Sequence, residues 1–129
     1  MNIAGIGIDA VDIARFKNAV EKFGDNFLRK IFTSKEIEYA NTKKAFHVHM
    51  AGKFAAKEAV KKALPDGAEI GFSWTEIEIL NSEDGKPYVV LHGKAGALKE
   101  KFKLSQVFVS ISHTHTIATS NSLAVKNGA

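Results

Sequence analysis

The 129-residue chain contains no cysteine, a single tryptophan and only two prolines. Without cysteine there is no disulfide scaffold, no Cys-based zinc module and no cysteine nucleophile, and the absence suits a reducing compartment. No stretch approaches the roughly eighteen consecutive apolar residues that a membrane span needs. The N-terminal run from Met1 to Ile8 lacks a basic leader and is stopped by Asp9, too early for a signal peptide, so a soluble cytoplasmic protein is expected. No repeat, low-complexity tract or Gly/Ser linker divides the chain, which predicts one domain over residues 1–129. At this size folding buries roughly two-thirds of the surface of the unfolded chain, enough for a core without staples.

What the chain does have is a modest excess of positive charge, 18 Lys+Arg against 14 Asp+Glu, for a net charge of +4. That favours an anionic partner without identifying it. The local patterns predict an α+β domain, an antiparallel sheet packed against helices that include one long one. Ile3 to Ile8, β-branched and apolar with glycines at 5 and 7, reads as a strand approached closely by other backbone. From Asp12 the period becomes helical through Ile13, Phe16, Val20 and Phe23, with Asp12 as the cap and Gly24 as the stop. Thr33-Ser34-Lys35-Glu36 has the spacing of a capping box and starts another helix. The Ala-, Lys- and Glu-rich stretch from about His49 to Leu64 is the strongest helical pattern, ended by Pro65 and Gly67. Alternation over Trp74–Ile79, a turn over 82–87 and a strand from Tyr88 to Leu91 follow. A short helix at 95–102 and two strands, 107–112 and 117–125, complete the order.

On the long helix, at about 100° per residue, Phe54, Glu58 and Lys62 share the face opposite Ala56, Val60 and Leu64. A carboxylate with an ammonium one turn later and an aromatic one turn before could align a metal, a phosphate and a flat apolar group. The same spacing also describes a solvated Glu58–Lys62 pair worth a few tenths of a kcal/mol. Asp9, at a strand end after Gly5-Ile6-Gly7-Ile8, has the chemistry of a Mg²⁺ ligand, since that ion typically takes one or two protein carboxylates. Asp12 could share the work, or either acid could simply cap the helix. Gly5-x-Gly7 and Gly85-Lys86 fall short of the dinucleotide and P-loop fingerprints. His47-Val48-His49 and His113-Thr114-His115, if extended, would each begin a metal site, but no H-E-x-x-H is present. His113, at a strand end, could be a general base or a hydrogen-bonded structural histidine.

Three segments in order, Gly5-Ile6-Gly7-Ile8-Asp9 with Ile13 and Arg15, then Ala51-Gly52-Lys53-Phe54-Ala55-Ala56-Lys57-Glu58-Ala59, then Val109-Ser110-Ile111-Ser112-His113-Thr114, resemble the signature blocks of the holo-acyl-carrier-protein synthases. These are the small bacterial type of 4'-phosphopantetheinyl transferase. Gly85-Lys86-Pro87 is also similar. The resemblance implies the fold of that family and transfer of the phosphopantetheine arm of coenzyme A to a serine of apo acyl carrier protein, in fatty acid biosynthesis. It implies Mg²⁺ held by Asp9 and Glu58, with Lys62 on the coenzyme A phosphates and His113 near the cofactor. Lys53, Phe54 and the loop Gly85, Lys86 and Pro87 would line the nucleotide site. Arg15, with Lys22 on the same helix, would dock the acidic carrier protein. A homotrimer with active sites at subunit boundaries is implied as well. The family usually carries Arg where this chain has Lys53, and an ammonium cannot grip phosphate bidentately as a guanidinium does. The last strand, Ala118 to Ser122, is more polar than the family leads one to expect.

Two competing functions fit the charge alone. One is a nucleic-acid-binding module using Lys57, Lys61 and Lys62 as an exposed basic face. The other is a non-catalytic carrier-binding protein using the first helix.

Overall fold

Strand β1 (Asn2–Asp12) and the 18-residue helix α3 (Phe46–Ala63) set the frame, because nothing larger than a hydrogen fits between them at two places. In the computed structural model, which describes residues 2–67 and 69–127, a Cβ on Gly5 would run into the Ala63 carbonyl and one on Gly7 into the Ala59 carbonyl. Backbone thus packs on backbone, and the pair of glycines anticipated in the first strand is explained. β1 pairs with β5 (Ile117–Lys126), which pairs with β4 (Leu104–His113), giving an antiparallel three-stranded sheet of order β1-β5-β4.

The inner face of β5 is built from Ala118, Ser120, Ser122 and Ala124, all buried. Small side chains here let α3 lie close to the sheet. The two serines spend their hydroxyls on neighbouring backbone, Ser120 donating to Ser110 O at 2.7 Å and Ser122 to Phe108 O at 2.8 Å. The polar last strand is therefore a close-packed strand whose polar atoms are satisfied.

Helix α1 spans Ile13–Ile31 and α2 spans Ser34–Asn41; β2 (Ile77–Asn81) and β3 (Pro87–Leu91) form a second, two-stranded antiparallel sheet, followed by α4 (Gly93–Lys101). One apolar core joins α3 to β2, β4, β5 and α4 through Val60, Ile77, Ile79, Leu98 and Val107. A second joins its N-terminal half to α1 and α2 through Phe16, Val20, Phe32 and Met50. Being covered on both sides, α3 has no broad solvent face.

Several expectations are corrected. Gly24, at φ 72°, breaks α1 as anticipated, but a second segment resumes and carries the helix to Ile31 with Leu28 and Ile31 in the core. The long helix begins at Phe46, so His47 and His49 lie on it two residues apart and point in different directions rather than sharing a strand face. Among the described residues no cluster of three or more His, Cys, Asp or Glu could hold a metal. Trp74–Glu76 is a 3₁₀ turn closed by a Ser73–Glu76 capping box, and the strand starts only at Ile77. Lys57 is completely buried, which removes the centre of the supposed basic face.

Candidate active site

The close contact of β1 with α3 brings Ile8 and Asp9, inside the strand rather than at the strand end expected from sequence, against the C-terminal half of the helix. There Lys62 donates from Nζ to Ile8 O at 2.9 Å and lies 3.4 Å from Asp9 Oδ1. Glu58 sits one turn earlier on the helix. Asp9, Arg15, Phe16, Phe54 and Glu58 line one cavity. Burial raises the Glu58 carboxyl above its ordinary range, and the negative charge of Asp9, on the same cavity, raises it further. Asp12 also borders the cavity but is engaged as the cap of α1, where its Oδ1 accepts from Arg15 N at 3.0 Å. Phe54 is not a lone aromatic facing solvent; it packs on Phe16 and Trp74 with ring centroids 5.7 and 5.6 Å away. Arg15 and Lys22 are exposed on α1, and Lys22 Nζ lies 5.3 Å from the Phe23 ring centre.

Other residues named from sequence gather elsewhere. Lys53, Gly85, Pro87 and His113 line a second cavity with Tyr39, His49, Asn81 and Ile111, and Lys86 is exposed on the adjoining turn. His113 closes β4 and is exposed, its Nδ1 3.3 Å from Thr114 O. His115 is exposed in the turn before β5. Lys53 is only 3% exposed, and burial depresses its ammonium to about 8, against the opposing pull of Glu36. Burial likewise lowers His49.

Sequence reasoning missed a buried network that links α2, α3 and β2. Lys57 Nζ donates to Glu36 Oε1 at 2.8 Å and to the carbonyls of Trp74 and Ile77, while Glu36 Oε2 accepts from Ile79 N at 2.9 Å. Beside it, Glu78 accepts from Thr33 Oγ1 at 2.6 Å and pairs with His92 at 3.0 Å. The Thr33–Glu36 capping box was the available signal for Glu36. Nothing in the pattern marked Lys57 as its partner.

The fold is shared with known transferases of the phosphopantetheine group. The chain belongs to the 4'-phosphopantetheinyl transferase superfamily, matching it over residues 5–120. It is 44% identical over 116 residues to a holo-[acyl-carrier-protein] synthase of Geotalea daltonii, covering 90% of this chain and 93% of the relative. Among solved structures it resembles holo-[acyl-carrier-protein] synthase from Neisseria meningitidis, with a TM-score of 0.87 at 30% identity over 97% of this chain and 100% of the other. It also resembles the Helicobacter pylori enzyme in complex with coenzyme A, with a TM-score of 0.79 at 33% identity over 92% and 98% of the two chains.

Proposed function

We propose that this chain transfers the 4'-phosphopantetheine group of coenzyme A to a serine of apo acyl carrier protein, releasing adenosine 3',5'-bisphosphate, in fatty acid biosynthesis. The observation that carries the reading is the meeting of Asp9, Glu58 and Lys62 on a chain of this superfamily. Two hard carboxylate donors facing one cavity fit Mg²⁺, which completes its shell with phosphate oxygens and water. Asp9 and Glu58 would hold it, and when bound it supplies neutralisation of the pyrophosphate charge. Lys62, fixed by Ile8 O, adds a positive charge beside them. Phosphoryl transfer asks a protein mainly for such positioning and electrostatics.

The two cavities suggest how a long substrate is accommodated. One holds the acids; the other holds Lys53, Gly85, Pro87 and His113. A homotrimer with active sites at its interfaces would bring the second cavity of one subunit to the first of its neighbour. An apolar surface is available for that assembly: Ile6 is 70% exposed, Ile8 67% and Phe108 50%, on the sheet face turned away from α3. Arg15 and Lys22 on α1 would receive the acidic carrier protein. The reading is of a cytoplasmic enzyme, and among the described residues no helix is long and apolar enough to cross a membrane. With Lys57 buried, the charge pattern gives a nucleic-acid module little support. Mass analysis of apo acyl carrier protein after incubation with coenzyme A, Mg²⁺ and the protein tests the proposal.

A further inference from the structure

We infer that Lys53 is a positioning residue that tethers the β2–β3 turn to α3, and not a ligand of the coenzyme A phosphates. The inference rests on the transferase reading above for its consequence, but on this chain's own hydrogen bonds for its content. Lys53 Nζ donates to Ile79 O and to Asn81 Oδ1, both at 2.6 Å, and the ring centre of Tyr39 lies 4.8 Å away. A lysine has three N–H donors at most. Two are taken by oxygens and the π-face of Tyr39 accommodates the remaining charge. To reach a phosphate in the open cavity, Nζ would have to abandon partners it meets in a nearly sealed pocket.

Asn81 carries the connection onward. Its Oδ1 accepts from Lys53, and its Nδ2 donates to Gly85 O at 3.0 Å. The rest of the turn is closed on itself, with Gly85 N donating to Ser82 O at 2.9 Å, Ser82 N to Lys86 O at 3.0 Å, and Lys86 N to Asp84 Oδ1 at 3.2 Å. Residues 82–86 are exposed. Among the described residues, Lys53–Asn81–Gly85 is therefore the hydrogen-bonded route from the turn to the long helix. Gly85 and Pro87 border the same cavity as His49 and His113, so the tether sets that cavity's width. A lysine suits this place because its slender stem passes between Tyr39 and β2 while its head makes two divergent bonds. The forked phosphate grip of an arginine is not needed for it.

The test is a double-mutant cycle on the full chain with Lys53→Met, Asn81→Ala and the pair, reading coenzyme A affinity by calorimetry and amide exchange without ligand. Each single change should weaken coenzyme A about fivefold to tenfold, roughly the loss of one hydrogen bond. The pair should be no weaker than either single variant, and both should speed exchange at Gly85 and Lys86. The KM for coenzyme A should rise while kcat stays within about twofold, the KM for carrier protein should not change, and the salt dependence of coenzyme A binding should keep its slope. Wild-type affinity in Asn81→Ala, with weakened and less salt-sensitive binding in Lys53→Met, would make Lys53 a phosphate ligand and overturn the inference. Unchanged exchange at Gly85 in both variants would overturn it too. Should Lys53→Met fail to fold, Asn81→Ala decides alone through exchange and affinity. A wild-type protein that binds no coenzyme A would instead sink the transferase reading, leaving the exchange measurement to judge the tether.

Discussion

Lys57 and Glu36 form an ion pair 2.8 Å long with no solvent exposure on either side chain. Burial lowers the lysine's proton affinity, and the Glu36 charge and hydrogen bond oppose that. The pair joins α2 to α3 and, through Ile79 N and Ile77 O, fixes β2 against both, one residue before Glu58. A buried pair of this kind is costly to break and can be cheap to replace whole. Lys57→Met should destabilise the fold by about 3–5 kcal/mol, because it strands the Glu36 carboxylate. Combining it with Glu36→Leu should cost less than the two single changes summed. Urea denaturation of the three variants checks this, and strict additivity would contradict it.

Gly7 should tolerate no side chain. Gly7→Ala drives a Cβ into the Ala59 carbonyl, a backbone atom that cannot swing aside, so β1 must move off α3. Overpacking of this sort typically costs about 1–3 kcal/mol. It would also carry Asp9 away from Lys62. Gly71→Ala is the control, since a Cβ there meets nothing within 4 Å. Thermal melts should separate the pair by several degrees, with only Gly7→Ala losing transfer.

Stability should respond to alkali at Lys53. Its folded proton affinity lies at about 8, below the ordinary 10.5, so the unfolded chain holds this proton more tightly. Between those values unfolding takes up a proton, and stability contributed here rises with pH and is least favourable below pH 8. The neutral amine keeps two N–H donors, enough for Ile79 O and Asn81 Oδ1. The unfolding free energy of wild type relative to Lys53→Met should therefore increase from pH 8 to 10, by a few kcal/mol at most at about 1.4 kcal/mol per pH unit. A decrease in that difference would contradict the burial argument.

The apolar outer face of the sheet should be an assembly surface. Sedimentation equilibrium is expected to give a trimer, and Ile6→Asp with Phe108→Asp a monomer that keeps its helical circular dichroism and loses transfer. A wild-type monomer with full activity would refute the shared active site.

Local signals were legible wherever a short segment decides its own structure. Asp12 caps α1, Thr33 and Glu36 form their capping box, and the glycines of β1 mark close backbone approach. Glu58 and Lys62 stand out by their one-turn spacing, but Asp9, expected at a strand end, instead lies inside β1, which runs on to Asp12, so spacing alone does not separate it from Asp12. What could not be read depends on partners distant in sequence. Lys57 sits in an Ala-rich helix that looks solvated on one side until α2 and β2 cover it. Ser120 and Ser122 look like surface residues until their hydroxyls find β4 carbonyls. Lys53 carried a resemblance to a phosphate contact, and only the approach of Asn81 and Tyr39 shows what occupies its ammonium.

Phosphopantetheine transfer is tested most directly by mass spectrometry of apo acyl carrier protein incubated with coenzyme A, Mg²⁺ and either the wild-type protein or Glu58→Gln. The carrier should gain one phosphopantetheine group with wild type and none with Glu58→Gln, while α1 still binds the carrier in both. No gain with wild type across several apo carriers, or an equal gain with Glu58→Gln, would contradict it.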